Sequence, residues 1–319
     1  MSGLLCFGYG YSARHYVAGY GARFHRVIAT ARGATPSGLP GVAEADICLF
    51  DGLTASAALV AAIAAADAIL VSVPPAEHGD PVLAACAHAL ARTNANEGIV
   101  YLSSVGVYGD HGGAVVDERT TPRPTSARSR ARLAAETAWL RLGQETGRPV
   151  TVLRLAGIYG PGRNALVQIA GGGARAVIKA GQVFNRIHVA DIAQSIDAAF
   201  VQGAGDVYNV ADDEPSPPQD VLGFAAALLG APPPPQIAWA EAATSLTPLA
   251  RSFYADNRRV ANARLKARLA VQLQFPTYRE GLRALFAAGE PGVVTGAGLN
   301  EKVSTAAISR SISSGRESR

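Results

Sequence analysis

Six short apolar runs alternate with helical stretches through the first half of the chain, and this alternation restricts the fold more than any other feature. The strand-like runs fall at residues 4–7, 26–29, 45–49, 68–73, 99–103 and 150–155. Helical patterns lie at 13–20, 55–65, 81–92 and 128–145. Strand and helix in strict turn predict βαβ units, hence parallel strands with helices on both faces of one sheet. Ligands of such sheets lie outside the carboxyl ends of the strands. With 319 residues, 49% of them hydrophobic, the chain is long and apolar enough to bury a core of that kind.

Past residue 160 the alternation loosens. Pro161-Gly162-Arg163-Asn164 reads as a turn and Gly171-Gly172-Gly173 as a break. A strand running into a helix is expected over 184–200, a strand over 207–210, a turn-rich connector over 212–218 and a helix over 220–229. The run Pro232 to Pro235 favours a polyproline II segment. Helical patches follow at 262–269 and 278–287. From Gly289 the composition turns to Gly, Ser, Thr and Arg without period, so 289–319 is expected to be a disordered tail. There is no internal repeat.

The formal net charge is +4, with basic residues scattered, which suits anionic ligands better than a nucleic-acid surface. The three cysteines, Cys6, Cys48 and Cys86, are far apart and lack ligand spacing, so neither a disulfide framework nor a zinc site is expected. The apolar stretch 55–73 is interrupted by Asp67 and ended by Pro74-Pro75, which favours a helix and a buried strand over a membrane span. The first strand begins close to Met1 with no room for a signal segment, and a cytoplasmic location is expected.

The first strand feeds the turn Gly8-Tyr9-Gly10-Tyr11-Ser12-Ala13, a G-x-G-x-x-A pattern. In this arrangement Gly8 permits the tight turn and Gly10 lets a pyrophosphate approach the backbone. Ala13 stands where helix and strand pack closely. Backbone N–H groups at the helix start, with a hydroxyl contact from Ser12 and the neighbouring Tyr11, would hold the phosphates. Strand before and helix after supply the context that the motif needs. The expected fold is an α/β, Rossmann-type doubly wound parallel sheet. Residues 1–164 with 183–211 form the nucleotide-binding domain, and 165–182 with 212–288 form a small C-terminal substrate lobe.

At the end of the second strand, Ile28-Ala29-Thr30-Ala31-Arg32 contains no acid. A carboxylate there would bond a ribose 2′-hydroxyl, whereas an arginine can grip a 2′-phosphate. NADP is therefore expected over NAD, with an ordinary surface arginine as the alternative. Asp51 either accepts from the adenine amino group or belongs to the capping region of the next helix. Val73 and Pro74 are expected beside the adenosine and ribose.

Four further segments resemble, in order, the extended short-chain dehydrogenase/reductase superfamily, within it the NAD-dependent epimerase/dehydratase group. Tyr101 to Gly109 resembles its Ser-Ser-x-x-x-Tyr-Gly strand end, and Arg154 to Gly162 its R-x-x-x-x-Y-G-P-G element. Ile187 to Asp191 is similar to its I-H-V-x-D motif, and Val207 to Val210 to its Y-N-V strand. The sub-match is to the atypical, YeeZ-like branch. The resemblance implies a serine, a tyrosine acid/base and a lysine four residues later. Ser104 takes the serine position. Counting back from Glu136, Arg128 stands where the tyrosine belongs and Arg132 where the lysine belongs.

Arginine stays protonated near neutral pH and cannot act as a general base. The candidate catalytic residues are then Ser104, Tyr108, Arg128 and Arg132, with Tyr159 and His188 as further proton-transfer candidates. Asp191 is expected to cap the helix that follows it. Three readings follow: an NADP-dependent oxidoreductase with relocated acid/base groups and a small carbonyl or sugar-like substrate, a non-catalytic NADP(H) sensor, or a nucleotide-sugar epimerase or dehydratase. The resemblance also implies a homodimer paired through the helix that begins near Arg128.

Overall fold

The computed structural model describes residues 2–33, 45–92, 96–203 and 205–291. The elements run in the order β1 Gly3–Phe7, α1 Tyr11–Tyr20, β2 Arg26–Ala31, β3 Asp46–Leu49, α2 Ala57–Ala65, β4 Ala68–Val71 and α3 Pro81–Arg92. Then come β5 Gly98–Ser104, β6 Val115–Val116, α4 Ala127–Thr146, β7 Val150–Leu155, β8 Gly157–Tyr159, α5 Ala165–Ala170 and β9 Ala176–Ile178. β10 Arg186–His188, α6 Val189–Gln202, β11 Val207–Val210, α7 Pro218–Leu228, β12 Gln236–Ala238 and α8 Trp239–Ser245 follow. The described part closes with α9 Pro248–Ala255, β13 Arg259–Val260, α10 Ala263–Leu269 and α11 Tyr278–Ala287.

Seven strands form a parallel sheet in the order β11-β7-β5-β4-β1-β2-β3. β1 lies inside it, with Leu5 in register with Ile28 of β2 on one side and Ile69 of β4 on the other. The chain builds outward from β1 to β3 and then returns to β4 on β1's far side. That reversal opens a crevice at the ends of β1 and β4, where a doubly wound sheet takes its ligand. Helices cover both faces because the central strands are apolar on both: all five residues of β1 and all four of β4 are buried. One face packs Tyr16 and Val17 of α1, Ile192 and Ile196 of α6, and Leu265 of α10. The other packs Leu59 and Ile63 of α2, Val82 and Leu90 of α3, and Trp139 of α4.

The smaller lobe has its own cluster, built from Leu166, Val221, Leu222, Ala225, Leu282 and Leu285. Three short parallel pairs stand outside the large sheet: β9 with β12 within the lobe, β8 with β10, and β6 with β13, which ties the lobe's segment to the sheet domain. Of these two- and three-residue strands, β10 opens the strand-to-helix run expected over 184–200; the others escape sequence reading, because no period shows in so short a run and their partners are remote. The predicted strands of the large sheet, by contrast, stand within a few residues of the observed ones. Among the described residues, no helix is long and apolar enough to cross a membrane; the 55–73 stretch divides into α2 and β4.

Two expectations change. Residues 289–291 are not the start of a tail: the N–H of Gly289 donates to Phe286 O at 3.0 Å and that of Glu290 to Leu285 O at 3.0 Å, closing α11. The rest of the expected tail, 292–319, lies outside the described residues. Asp191 does not cap α6. That role falls to His188, whose Nδ1 accepts from the N–H of Ala190 at 3.2 Å. Asp191 instead accepts from the N–H groups of Gln274 and Phe275, at 2.6 and 3.2 Å.

Candidate functional site

The turn after β1 is shaped by close packing. Gly8 has φ +87°, and a Cβ there would stand 2.9 Å from Ser72 Oγ and 3.1 Å from Val73 Cγ2. Its N–H donates to Thr30 Oγ1 at 2.9 Å, and the Ser72 hydroxyl bonds Gly8 O at 3.0 Å. The glycine turn is thus clasped between the ends of β2 and β4. Gly10 is the N-cap of α1 and supplies no side-chain cap; the first turn carries no acid. A Cβ on Gly10 would meet nothing within 4 Å. An uncapped helix start beneath open space suits the pyrophosphate of a dinucleotide, which would accept from the N–H groups left unpaired. Ser12 and Ala13 are buried against the sheet.

Tyr11 leans the other way. Its hydroxyl donates to Pro161 O at 3.0 Å, and burial pushes its pKa up to about 12. Arg32 is exposed directly after β2, on the side where the adenosine ribose of such a site would lie. Asp51, past β3, is exposed as well. Its Oδ1 accepts from the N–H groups of Leu53 and Thr54 at 2.8 and 3.3 Å, bonds that lower its pKa. α2 is capped by Ser56 rather than by Asp51. Val73 borders Gly8, and the exposed Pro74 follows it.

At the end of β5, Ser104 is half-buried and its Oγ accepts from the N–H of Gly106 at 3.1 Å, capping a short 3-10 turn over Val105–Tyr108. That turn carries Tyr108 inward. Tyr108 is 0% exposed, donates its hydroxyl to Asn209 Oδ1 at 2.8 Å, and lies 4.9 Å beneath the Arg154 guanidinium. It does not line the cleft, so the expectation that it transfers a proton gives way to a core role. Arg132 does line the cleft, yet it is tethered: Nη1 donates to Tyr101 OH at 3.0 Å and to Leu102 O at 2.9 Å. Arg128, one turn earlier on α4, is exposed in the cleft and makes no ion pair among the described residues. Of the other arginines between 119 and 132, Arg119 pairs with Asp117 and Arg130 donates to Thr125 O, and neither they nor Arg123 line the cleft.

Beneath them lies a buried ion pair that the sequence reading used only as a landmark. Glu136 of α4 meets Arg154 of β7 at 2.7 Å, with side chains 2% and 7% exposed, and Ser103 of β5 donates to the same carboxylate. A buried pair of this kind fixes α4 against β5 and β7 and so sets where Ser104, Arg128 and Arg132 face.

The cleft between sheet domain and lobe holds about 1060 Å³. It begins at Gly10, Tyr11 and Ser12, passes Ser104 and Arg128, and ends on the lobe at Arg175, Leu249 and Phe253. Arg163 and Arg175 line it, are exposed, and make no ion pair among the described residues. Arg163 stands in the turn after β8, and its motif was a signal; Arg175 had none. Tyr159 faces the cleft, but its hydroxyl points to Thr277 O at 3.4 Å and burial raises its pKa. His188 is buried between Tyr159 and Phe275, and desolvation lowers its pKa to about 4, so it is neutral at physiological pH. Neither side chain offers a mobile proton to the cleft.

Sheet order, glycine turn and open helix start together define a dinucleotide-binding α/β protein. The sequence profile of the NAD dependent epimerase/dehydratase family matches residues 8–211, and the chain belongs to that family. A structure of a functionally unknown conserved protein from Silicibacter pomeroyi is 42% identical, with a TM-score of 0.78 over 90% of this chain and 99% of that one. A protein from Methylobacillus flagellatus, described as an NAD-dependent epimerase/dehydratase, is 25% identical with a TM-score of 0.68 over 90% and 98%. UDP-N-acetylglucosamine 4-epimerase from Bacillus cereus, 14% identical, shares the fold with a TM-score of 0.72 over 92% and 98%. No curated protein matches the chain.

Proposed function

We propose that the chain is an NADP(H)-linked oxidoreductase whose substrate is a small anionic carbonyl or sugar-like compound, within the atypical, YeeZ-like branch of its family. The observation that carries this reading is the cleft itself: Arg128, Arg163 and Arg175 face one cavity beside the cofactor turn without an acidic partner of their own. Same-sign charges around one cleft draw an anion into it, and arginine grips carboxylate and phosphate bidentately.

Gly8, Gly10, Tyr11, Ser12 and Ala13 would hold the dinucleotide, and Arg32 its 2′-phosphate. When bound, the nicotinamide supplies or receives a hydride. Ser104 would donate its hydroxyl to the substrate oxygen, and Arg128 would stabilise negative charge growing there, an electrostatic contribution that needs no proton from the arginine. Water would complete the proton transfer, because arginine remains protonated. Arg163 and Arg175 would hold the substrate's anionic group. The family takes its name from NAD; the preference for NADP rests on Arg32 and on the absence of an acid at the end of β2.

A second reading, a protein that senses NADP(H) without turning it over, is favoured by the burial of Tyr108 and the tethering of Arg132. Titration with NADPH and NADH, then stopped-flow NADPH oxidation against phosphorylated, carboxylated and neutral carbonyl compounds, separates the two. NADPH oxidation by anionic compounds alone supports the oxidoreductase. Tight NADPH binding with no oxidation across the panel transfers the weight to the sensor. No binding of either nucleotide removes both.

A further inference from the structure

We infer that the turn between β8 and α5 is an anion-receiving subsite of the cleft, and that Glu290 of the same chain occupies it as an internal competitor. The inference rests on the anionic-substrate reading above and names the group against which a substrate must compete.

The Glu290 carboxylate sits on this turn through both oxygens. One accepts from the N–H of Gly162, the other from the side-chain amide of Asn164. The Asn164 amide cannot turn to present its oxygen instead. Its Oδ1 already accepts from the N–H groups of Leu166 and Val167 at 2.9 and 3.2 Å, and its Nδ2 also donates to Gly160 O at 2.9 Å. Asn164 is 4% exposed, so this donor is built into the fold rather than left to a mobile side chain. Arg163 lies between the two donors in sequence, with its guanidinium 5.9 Å from the Tyr11 ring and no ion pair among the described residues. Glu290 and Arg163 both act on the Tyr11 hydroxyl, in opposite directions, which places them beside the cofactor turn.

The groups this turn offers Glu290 are two donors with a cation between them in sequence, and, among the described residues, the acid that meets them comes from beyond the end of α11. Arg163 and Asn164 line the cleft. A ligand's carboxylate or phosphate has the two acceptor oxygens that Glu290 now supplies, and it can add the contact with Arg163 that Glu290 does not make. Seating such a group means displacing Glu290, which needs only a shift of the short segment after Ala288. The turn carries Pro161, to which Tyr11 is bonded, so the exchange takes place next to the dinucleotide.

The experiment is isothermal titration of inorganic phosphate, at fixed ionic strength, into the full chain, into Glu290→Gln, and into Glu290→Gln combined with Arg163→Gln. If Glu290 holds the subsite about nine-tenths of the time, its removal tightens phosphate binding about tenfold, since an affinity is reduced by the fraction of competent protein. The added Arg163→Gln change should cancel that gain. Unchanged or weaker phosphate binding in Glu290→Gln would overturn the inference and leave Glu290 as a tie between α11 and the turn. A gain that survives Arg163→Gln would overturn it too, because the anion then binds elsewhere. Glu290→Asp, whose shorter arm cannot reach both donors, gives the same comparison if the neutral variant folds poorly. NADPH affinity, measured separately, bears on the preceding reading alone.

Discussion

The turn after β1 and the segment from Ser104 into α4 border the same cleft, yet they would act by different means. The turn works through its backbone: N–H groups, a positive φ at Gly8 and an absent Cβ at Gly10. The second segment depends on side-chain identity. There the positions that carry tyrosine and lysine in the resembled superfamily carry Arg128 and Arg132, while the serine position is kept. A backbone site tolerates much sequence change around its glycines. A side-chain site depends on the residues at a few positions, while its shape is held separately, here by Glu136 and Arg154, which dock α4 in place. The comparison teaches that a dinucleotide fold and its reaction are separable properties of one chain.

The sharpest way to break the second region is Glu136→Ala. It leaves the Arg154 guanidinium buried without its partner, a loss of about 3–5 kcal/mol, read by urea denaturation. A change under about 1 kcal/mol, the scale of an exposed pair, would show that the ion pair does not fix α4. The first region is tested by Arg32→Asp. NADPH affinity should fall about 10- to 100-fold through loss of a charge-assisted contact, while NADH affinity holds. Equal losses for both nucleotides would remove the phosphate assignment.

A third test concerns the floor between sheet and lobe, where burial raises the Asp212 carboxyl to about 8 against the pull of Arg186. A folded-state pKa above that of the unfolded chain means that this carboxyl favours the fold fully only below about pH 4. That contribution is lost as pH rises through about 8. Asp212→Asn never ionises, so its melting temperature should gain on that of the native chain from pH 5 to pH 9. A constant difference across that range would contradict the burial argument. The smallest effect is expected from Tyr108→Phe: about 1 kcal/mol of stability, from one buried hydrogen bond, with NADPH affinity unchanged. A change in nucleotide binding would return Tyr108 to the site.

Much of the large sheet was legible because its strands are short apolar runs separated by stretches of helix-forming residues, and both can be read locally. The turn at Gly8 and Gly10 was legible for the same reason: its parts are neighbours in sequence. The same holds for the departure at Arg128 and Arg132, which needed only a count back from Glu136. Tyr108 was misread because a strand-end tyrosine looks alike whether it faces solvent or core. Its direction is set by the 3-10 turn after Ser104 and by the distant Asn209. The capping role expected of Asp191 fell to His188 because a helix start offers several polar side chains, and the 274–275 segment engages Asp191.

What the sequence determined by itself was the class of fold and the place of the glycine turn after β1, both consequences of residues close together along the chain; the count that sets Arg128 and Arg132 at the tyrosine and lysine positions rests on the resemblance. Tertiary structure alone decided that Arg163 and Arg175 share a cleft with Arg128, that Arg132 is tethered to β5, and that Glu290 reaches Gly162 and Asn164. These are meetings across long sequence separations, and a guanidinium or carboxylate takes its role from its partner. Local periodicity carries no record of which partner the folded chain brings near.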